Sequence, residues 1–206
     1  VKNSFFQCEG KKLINKDDKN VTYNIKNCFA YSLDEPSTYK VQAYSFKEGT
    51  HVDLQNFEEI VNYSSCMMGI FNIYNMTAAI ASVHLVTNKD LQSICDVVDN
   101  FAGVSGRMEI ISSDPLVIVD FAHTPDGMKE VYESFNHKDI ITVFGAGGDR
   151  DQEKRPIMGL MANNFAKEII VTSDNPRFED PDLIIEDIVK GIKDKSKVSI
   201  EINRKL

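Results

Sequence analysis

Phe144-Gly145-Ala146-Gly147-Gly148-Asp149-Arg150-Asp151-Gln152-Glu153-Lys154-Arg155-Pro156 is the stretch on which the fold turns. The run that enters it, Ile140 to Phe144, is short, apolar and β-branched, which reads as a buried strand. The segment that leaves it, Pro156 to Phe165, carries apolar residues at helical spacing. A glycine-rich turn between strand and helix is where α/β proteins hold anions, because the unpaired N–H groups of the first helical turn point out of it. Arg150, Lys154 and Arg155 add fixed positive charge to the same turn.

The unit repeats downstream. Glu168 to Thr172 reads as a strand, Asp174-Asn175-Pro176-Arg177 as the loop after it, 182–193 as a helix and 198–202 as another strand. Upstream, Leu116 to Phe121 is continuously apolar, as expected of a central parallel strand. Asp120-Phe121-Ala122-His123-Thr124-Pro125-Asp126 closes it, with Thr124 as N-cap and Pro125 in the first turn of a helix reaching about Phe135. Strands alternating with helices predict a Rossmann-like parallel sheet over 107–206, with right-handed crossovers. The loops at Arg107, 120–126, 145–155 and 174–181 are then expected at one edge of that sheet.

The first half reads differently. Residues 1–65 carry β-rich clusters (Val21 to Ile25, Phe29 to Tyr31, Lys40 to Phe46, His51 to Leu54), and the run from Lys11 into Ile14 reads as a strand ending in a polar loop. Residues 66–106 read as helical, with one helix after Gly69 and a second from Asp90 to Phe101 that takes Asn88 as N-cap. Ala102-Gly103-Val104-Ser105-Gly106 is a small-residue break, so the expected domains are 1–106 and 107–206.

The chain has 206 residues and a net charge of −8, which argues against general nucleic-acid binding and makes any anion site a local island of positive charge. No apolar run reaches the roughly 20 residues that span a bilayer, and no signal peptide opens the chain. Cys8, Cys28, Cys66 and Cys95 are far apart and form no C-x-x-C, which reads as reduced cytosolic thiols. The opening without Met and the end at Leu206, straight after a strand, read as the middle of a longer protein. The G-x-x-x-x-G-K-[ST] phosphate cradle is absent from these residues.

Several side chains have both a functional and a structural reading. Arg150 and Arg177 stand in loops just past sequential strands, where two guanidiniums can grip carboxylates bidentately; the alternative is surface pairing with Asp149, Asp151 or Glu179. Asn175 adds an amide, and Pro176 stiffens the loop that aims Arg177. Arg107 is either a polyphosphate clamp between domains or the partner of Glu109 or another carboxylate in an interdomain salt bridge. Asp120 either accepts from ribose hydroxyls or caps the following helix. His123 is either a base or structural. Asn72 and Asn75 share one helix face, as ligand amides or as capping groups.

Gly69-x-Phe71-Asn72-x-x-Asn75-x-x-Ala78-Ala79, Gly106-Arg107-Met108-Glu109, Asp120 to Asp126, Gly147-Gly148-Asp149-Arg150-Asp151-x-x-Lys154-Arg155-Pro156 and Asp174-Asn175-Pro176-Arg177-x-Glu179-Asp180-Pro181 together resemble the Mur ligases. The resemblance covers nearly the whole chain and is closest to the diaminopimelate-adding branch. It implies that 1–106 is the C-terminal part of the central ATP-binding domain and that 107–206 is an incomplete Rossmann-like amino-acid-binding domain. It implies that Arg150, Asp174, Asn175 and Arg177 hold meso-diaminopimelate. Asn72, Asn75, Arg107, Asp120 and His123 would lie on the nucleotide side, and Lys2 would match a carbamylated lysine that bridges magnesium. Lysine-adding relatives carry another residue where Arg177 stands. Phe121 departs from the family's usual Tyr.

The implied chemistry is ATP- and Mg2+-dependent amide formation. The D-glutamyl carboxylate of UDP-N-acetylmuramoyl-L-alanyl-D-glutamate attacks the γ-phosphate, and an amine of diaminopimelate then attacks the acyl phosphate. The expected setting is a cytoplasmic monomer in peptidoglycan precursor synthesis, with no nucleic-acid or membrane partner. With the family's ATP loop outside these residues, they are expected to be inactive alone. The rival readings are a lysine-adding or folylpolyglutamate-type ligase, and a non-catalytic module that binds a dicarboxylate or nucleotide.

Overall fold

The computed structural model describes residues 9–21, 26–47, 49–135 and 139–204. Two compact units divide between Val119 and Asp120. The expected strand at Val21 to Ile25 and the Lys2 assignment fall largely or wholly outside the described residues.

The first unit is built on a five-stranded sheet of β1 (Lys12–Asn15), β2 (Cys28–Ser32), β3 (Tyr39–Ser45), β4 (Thr50–Asn56) and β5 (Glu59–Ser65), hydrogen-bonded in that order. β1, β2 and β3 run parallel; β4 and β5 are antiparallel to their neighbours. Alternation is clearest in β4, where Val52 and Leu54 are buried and His51 and Asp53 are exposed. Helix α1 (Ile70–Thr87) lays Ile73, Met76, Ile80 and Ala81 into the cluster formed by Tyr39, Val41, Leu54 and Tyr63. By length and composition α1 could cross a bilayer, but this buried face makes it the core helix of the unit. Asn88 does not open the next helix: it ends α1 in the left-handed region at φ 51°, a conformation asparagine tolerates well. The N-cap of α2 (Leu91–Val98) is Asp90, whose carboxylate accepts the Ser93 N–H. Asp17, in the loop after β1, accepts the N–H groups of Leu33 (2.6 Å), Asp34 and Glu35 (both 3.2 Å) and the Tyr74 hydroxyl (2.9 Å).

One strand expectation is corrected. Leu116–Val119 (β7) is not a central parallel strand among the described residues; it pairs antiparallel with β6 (Glu109–Ser113) as a two-stranded ribbon, Ser113 opposite Leu116. The two-residue connection at Asp114-Pro115 forces this, because a tight turn returns the chain antiparallel.

The second unit carries the expected parallel sheet, with β8 (Ile141–Phe144), β9 (Glu168–Val171) and β10 (Val198–Ile200) in the order β10-β9-β8. Helices α3 (Pro125–Glu133), α4 (Lys154–Phe165) and α5 (Pro181–Lys190) alternate with these strands. Their buried stripes (Met128 and Tyr132; Met158 and Ala162; Ile184, Ile185 and Ile188) close over Ile169 and Val171. Thr124 caps α3 as expected, accepting the Gly127 N–H at 3.1 Å, and Pro125 sits in the first turn.

Candidate functional site

β8 and β9 are adjacent, parallel and in register, with Phe144 opposite Val171, so the loops that follow them leave the sheet side by side. They touch backbone to backbone. The Gly148 N–H donates to the Asn175 carbonyl at 2.8 Å, and the Thr172 N–H to the Phe144 carbonyl at 2.9 Å. A methyl at Gly145 would lie 2.2 Å from the Thr172 carbonyl oxygen, and one at Gly148 only 1.9 Å from that of Pro176. Gly145 and Gly148 therefore serve the close approach of the two loops.

The two arginines of the expected clamp stand on these loops. Arg177 is exposed, with its backbone at φ 51°, and donates from Nη1 to the Gly148 carbonyl at 2.5 Å. A methyl on Gly147 would sit 2.9 Å from that Nη1 and 3.9 Å from Arg150 Cγ, which places both side chains beside the same glycine. Arg150 is exposed. Neither arginine is ion-paired among the described residues, so the surface-pairing alternative does not hold there. The acids named as partners are engaged elsewhere: Asp149 accepts the Phe178 N–H, Asp151 the Glu153 N–H, and Glu179 takes Arg155. Asp174 pairs with Arg204 at 3.1 Å. Asn175 is exposed beside Arg177.

Arg155 and Lys154 depart from the reading of a cationic turn. Arg155 is 1% exposed. Its Nη2 lies 2.9 Å from both Glu179 carboxylate oxygens and 3.5 Å from the Gly147 carbonyl, and its Nη1 lies 3.1 Å from Asp187. Its Nε is buried without a partner. The signal was in the helix phase: Arg155 shares the stripe of Met158, Gly159 and Ala162, all buried. Lys154 is spent on the His123 carbonyl at 2.9 Å. Glu179, read only as an arginine partner at the surface, is the hub of the loop pair. It accepts the Asp149 N–H at 2.5 Å, Arg155, and the Gln152 amide at 3.3 Å. The Asp149 N–H first and the Arg155 guanidinium second hold its carboxyl below the ordinary glutamate range.

The expected nucleotide-side residues fall in both units. Within α1, the Asn72 amide donates to the Met68 carbonyl at 2.8 Å and its oxygen accepts from Asn75 at 3.3 Å. Asn72 is 2% exposed, whereas Asn75 faces outward. Arg107 is exposed, just past the turn in which its N–H meets the Val104 carbonyl at 3.0 Å. In the second unit, Asp120 accepts the Ala122 N–H at 2.7 Å, a local cap. His123 is exposed, with Nδ1 3.0 Å from the Phe121 carbonyl and its ring edge-on to Phe121. No group of three or more His, Cys, Asp or Glu that could hold a metal occurs among the described residues.

Comparison with known proteins gives the family and the fold. Residues 2–83 match the family model of the Mur ligase middle domain, and residues 106–205 match the model described as Mur ligase, glutamate ligase domain. A UDP-N-acetylmuramoyl-L-alanyl-D-glutamate–2,6-diaminopimelate ligase from Wolinella succinogenes is 49% identical over 204 residues, covering 99% of this chain and 47% of that protein. A solved structure of a ligase of the same name superposes with a TM-score of 0.59 at 32% identity, over 98% of this chain and 45% of that one. An ADP complex of Mycobacterium tuberculosis folylpolyglutamate synthase shares the fold, with a TM-score of 0.68 at 20% identity over 86% of this chain and 40% of the other. The chain spans about half the length of the relatives it matches.

Proposed function

The chain belongs to the Mur ligase family, and from that premise we propose that it forms the amino-acid-binding part, and a portion of the ATP-binding part, of a ligase that adds meso-diaminopimelate to UDP-N-acetylmuramoyl-L-alanyl-D-glutamate. One observation carries the reading: two exposed arginines without ion-pair partners among the described residues, Arg150 and Arg177, stand beside the same glycine on loops locked together. Such a pair suits an amino acid with two carboxylates, since each guanidinium can take one of them bidentately. Asp174 and Asn175 precede Arg177 on the same loop and are assigned to the same diaminopimelate site, Asp174 exchanging its pairing with Arg204 for a ligand ammonium. Residues 1–106 are assigned to the ATP-binding part and 107–206 to the amino-acid part, in keeping with family matches at 2–83 and 106–205.

When bound, ATP supplies the phosphoryl group that activates the D-glutamyl carboxylate. The described residues fit the nucleotide in part. Asn72 is committed to the Met68 carbonyl and to Asn75, so it holds Asn75, and the exposed Asn75 is the amide on that helix assigned to the nucleotide. Arg107 offers an exposed guanidinium for phosphate, and Asp120 a carboxylate at the end of β7 for ribose, with His123 beside it. Magnesium remains assigned to Lys2, outside the described residues. The protein so read is a cytoplasmic monomer without nucleic-acid or membrane partners, in keeping with its net charge of −8.

The test is ADP release by the whole protein with the UDP-sugar dipeptide and either meso-diaminopimelate or L-lysine. Diaminopimelate is expected to be the better substrate. Arg177→Ala is expected to raise its KM about 10- to 100-fold, the size of one lost charge-assisted hydrogen bond. Equal use of lysine, or a KM indifferent to Arg177, would reject the reading.

A further inference from the structure

We propose that Arg155, acting through Glu179, is the positioning residue that sets the spacing of Arg150 and Arg177; this rests on the reading of those two arginines as a carboxylate clamp. At 1% exposure Arg155 cannot reach a ligand. Its contacts instead join three segments: the Gly147 carbonyl in the loop after β8, Glu179 in the loop after β9, and Asp187 on α5. Glu179 closes the circuit by accepting the N–H of Asp149, the residue next to Arg150. Arg177 lies two residues before Glu179 and is bonded to Gly148. Each clamp arginine is thus within two residues of a group fixed directly or indirectly by one buried guanidinium.

The design has a chemical consequence. A ligand with two carboxylates at a set separation reads the distance between Arg150 and Arg177, whereas a ligand with one carboxylate does not. Only arginine can fill position 155 in this way, because its planar fork reaches both oxygens of one acid and a second acid at once, while a lysine ammonium is a single point. A glutamine at 179 keeps the length of the side chain and loses its charge. The Asp149 N–H then competes for one neutral oxygen, and the tie that fixes Asp149 against the second loop is weakened while the Gly148–Asn175 hydrogen bond remains.

The experiment has two parts. On this chain, amide hydrogen exchange at Asp149 and Phe178 is measured in Glu179→Gln, Arg155→Met and Arg155→Lys; Glu179→Gln serves where Arg155→Met fails to fold. On the whole protein, KM for meso-diaminopimelate, KM for ATP and kcat are measured in the same variants. The expected result is exchange at Asp149 at least about 10-fold faster and a diaminopimelate KM about 10- to 100-fold higher, with KM for ATP held and no rescue by lysine. An unchanged diaminopimelate KM in a folded Glu179→Gln protein would overturn the positioning role alone. A loss of kcat together with a rise in both KM values would also overturn it, since that marks a merely structural residue. Absence of diaminopimelate-dependent turnover in the unaltered protein would overturn the clamp reading and this proposal with it.

Discussion

Gly147 and Gly148 are neighbours, neither has a positive φ, and alanine at the two positions is expected to fail in different ways. At Gly148 the new methyl would meet the Pro176 carbonyl oxygen at 1.9 Å and its carbon at 2.7 Å. Both are backbone atoms, so relief needs the loops to separate by more than an ångström, and the Gly148–Asn175 hydrogen bond breaks. Overpacking of this kind costs about 1–3 kcal/mol, and the lost hydrogen bond about 1 kcal/mol. For a unit of the size of Asp120–Leu206 each kcal/mol moves the melting point by about 4–8 °C, so Gly148→Ala, at about 2–4 kcal/mol in all, is expected to lower it by roughly 8–30 °C. At Gly147 the one close contact of the methyl is the tip of Arg177, at 2.9 Å; the Asn175 carbonyl oxygen at 3.7 Å and Arg150 Cγ at 3.9 Å are at ordinary contact distance. A flexible side chain yields cheaply, so the cost in stability stays under about 1 kcal/mol while the guanidinium is pushed from its place and the KM for diaminopimelate rises. Calorimetry of both variants and kinetics of Gly147→Ala make the comparison. If Gly148→Ala melts with the unaltered chain, the contact between the loops is not as described. If Gly147→Ala melts as low as Gly148→Ala, Arg177 does not lie over that glycine.

Three further outcomes are expected. Glu179 lies below its ordinary value, chiefly through the Asp149 N–H; a depressed acid stabilises the fold fully above its unfolded value, near 4.5, and loses that contribution as pH falls below it. Denaturant titrations between pH 7 and 3.5 should therefore show a shallower acid loss in Glu179→Gln, and parallel curves would contradict the network. Asp17 is depressed likewise: burial opposes its charge, but the Leu33, Asp34 and Glu35 N–H groups and the Tyr74 hydroxyl more than offset it. Asp17→Asn should cost about 1–3 kcal/mol and speed amide exchange at Leu33 to Glu35; unchanged exchange there would argue against its role as an anchor. Burial pushes the Cys95 thiol up to about 12, so it should resist a thiol reagent until the unit unfolds, while exposed Cys66 reacts at once; rapid labelling of Cys95 in the folded chain would refute the packing described.

The second unit was legible because its strands are short apolar runs and its helices carry clear apolar stripes; the ends of α4 and β9 fall within two residues of the expected ones. Leu116–Val119 was legible as a strand but not in its partner, since an apolar run does not say what lies beside it; the two-residue link to Ser113 decides that. β5 was missed because only Val61, Tyr63 and Ser65 of its seven residues are buried. In the site, charge alone could not separate Arg150 from Arg155. One stands in a loop and is exposed, whereas the other begins a helix on its buried stripe and needs acids from two later segments, Glu179 and Asp187. That pairing spans 24 and 32 residues of chain and has no local signature.

The left-handed backbone at Arg177, φ 51°, bears on how such a site changes over evolutionary time. A side chain with a Cβ holds that conformation at a cost of about 1–2 kcal/mol, which glycine escapes and asparagine largely escapes. On the proposed carboxylate clamp, replacing Arg177 by either would remove one of its two cations while relaxing the loop that carried it. Descendants that abandon a dicarboxylate amino acid would thus move downhill in stability, and those that acquire one must climb.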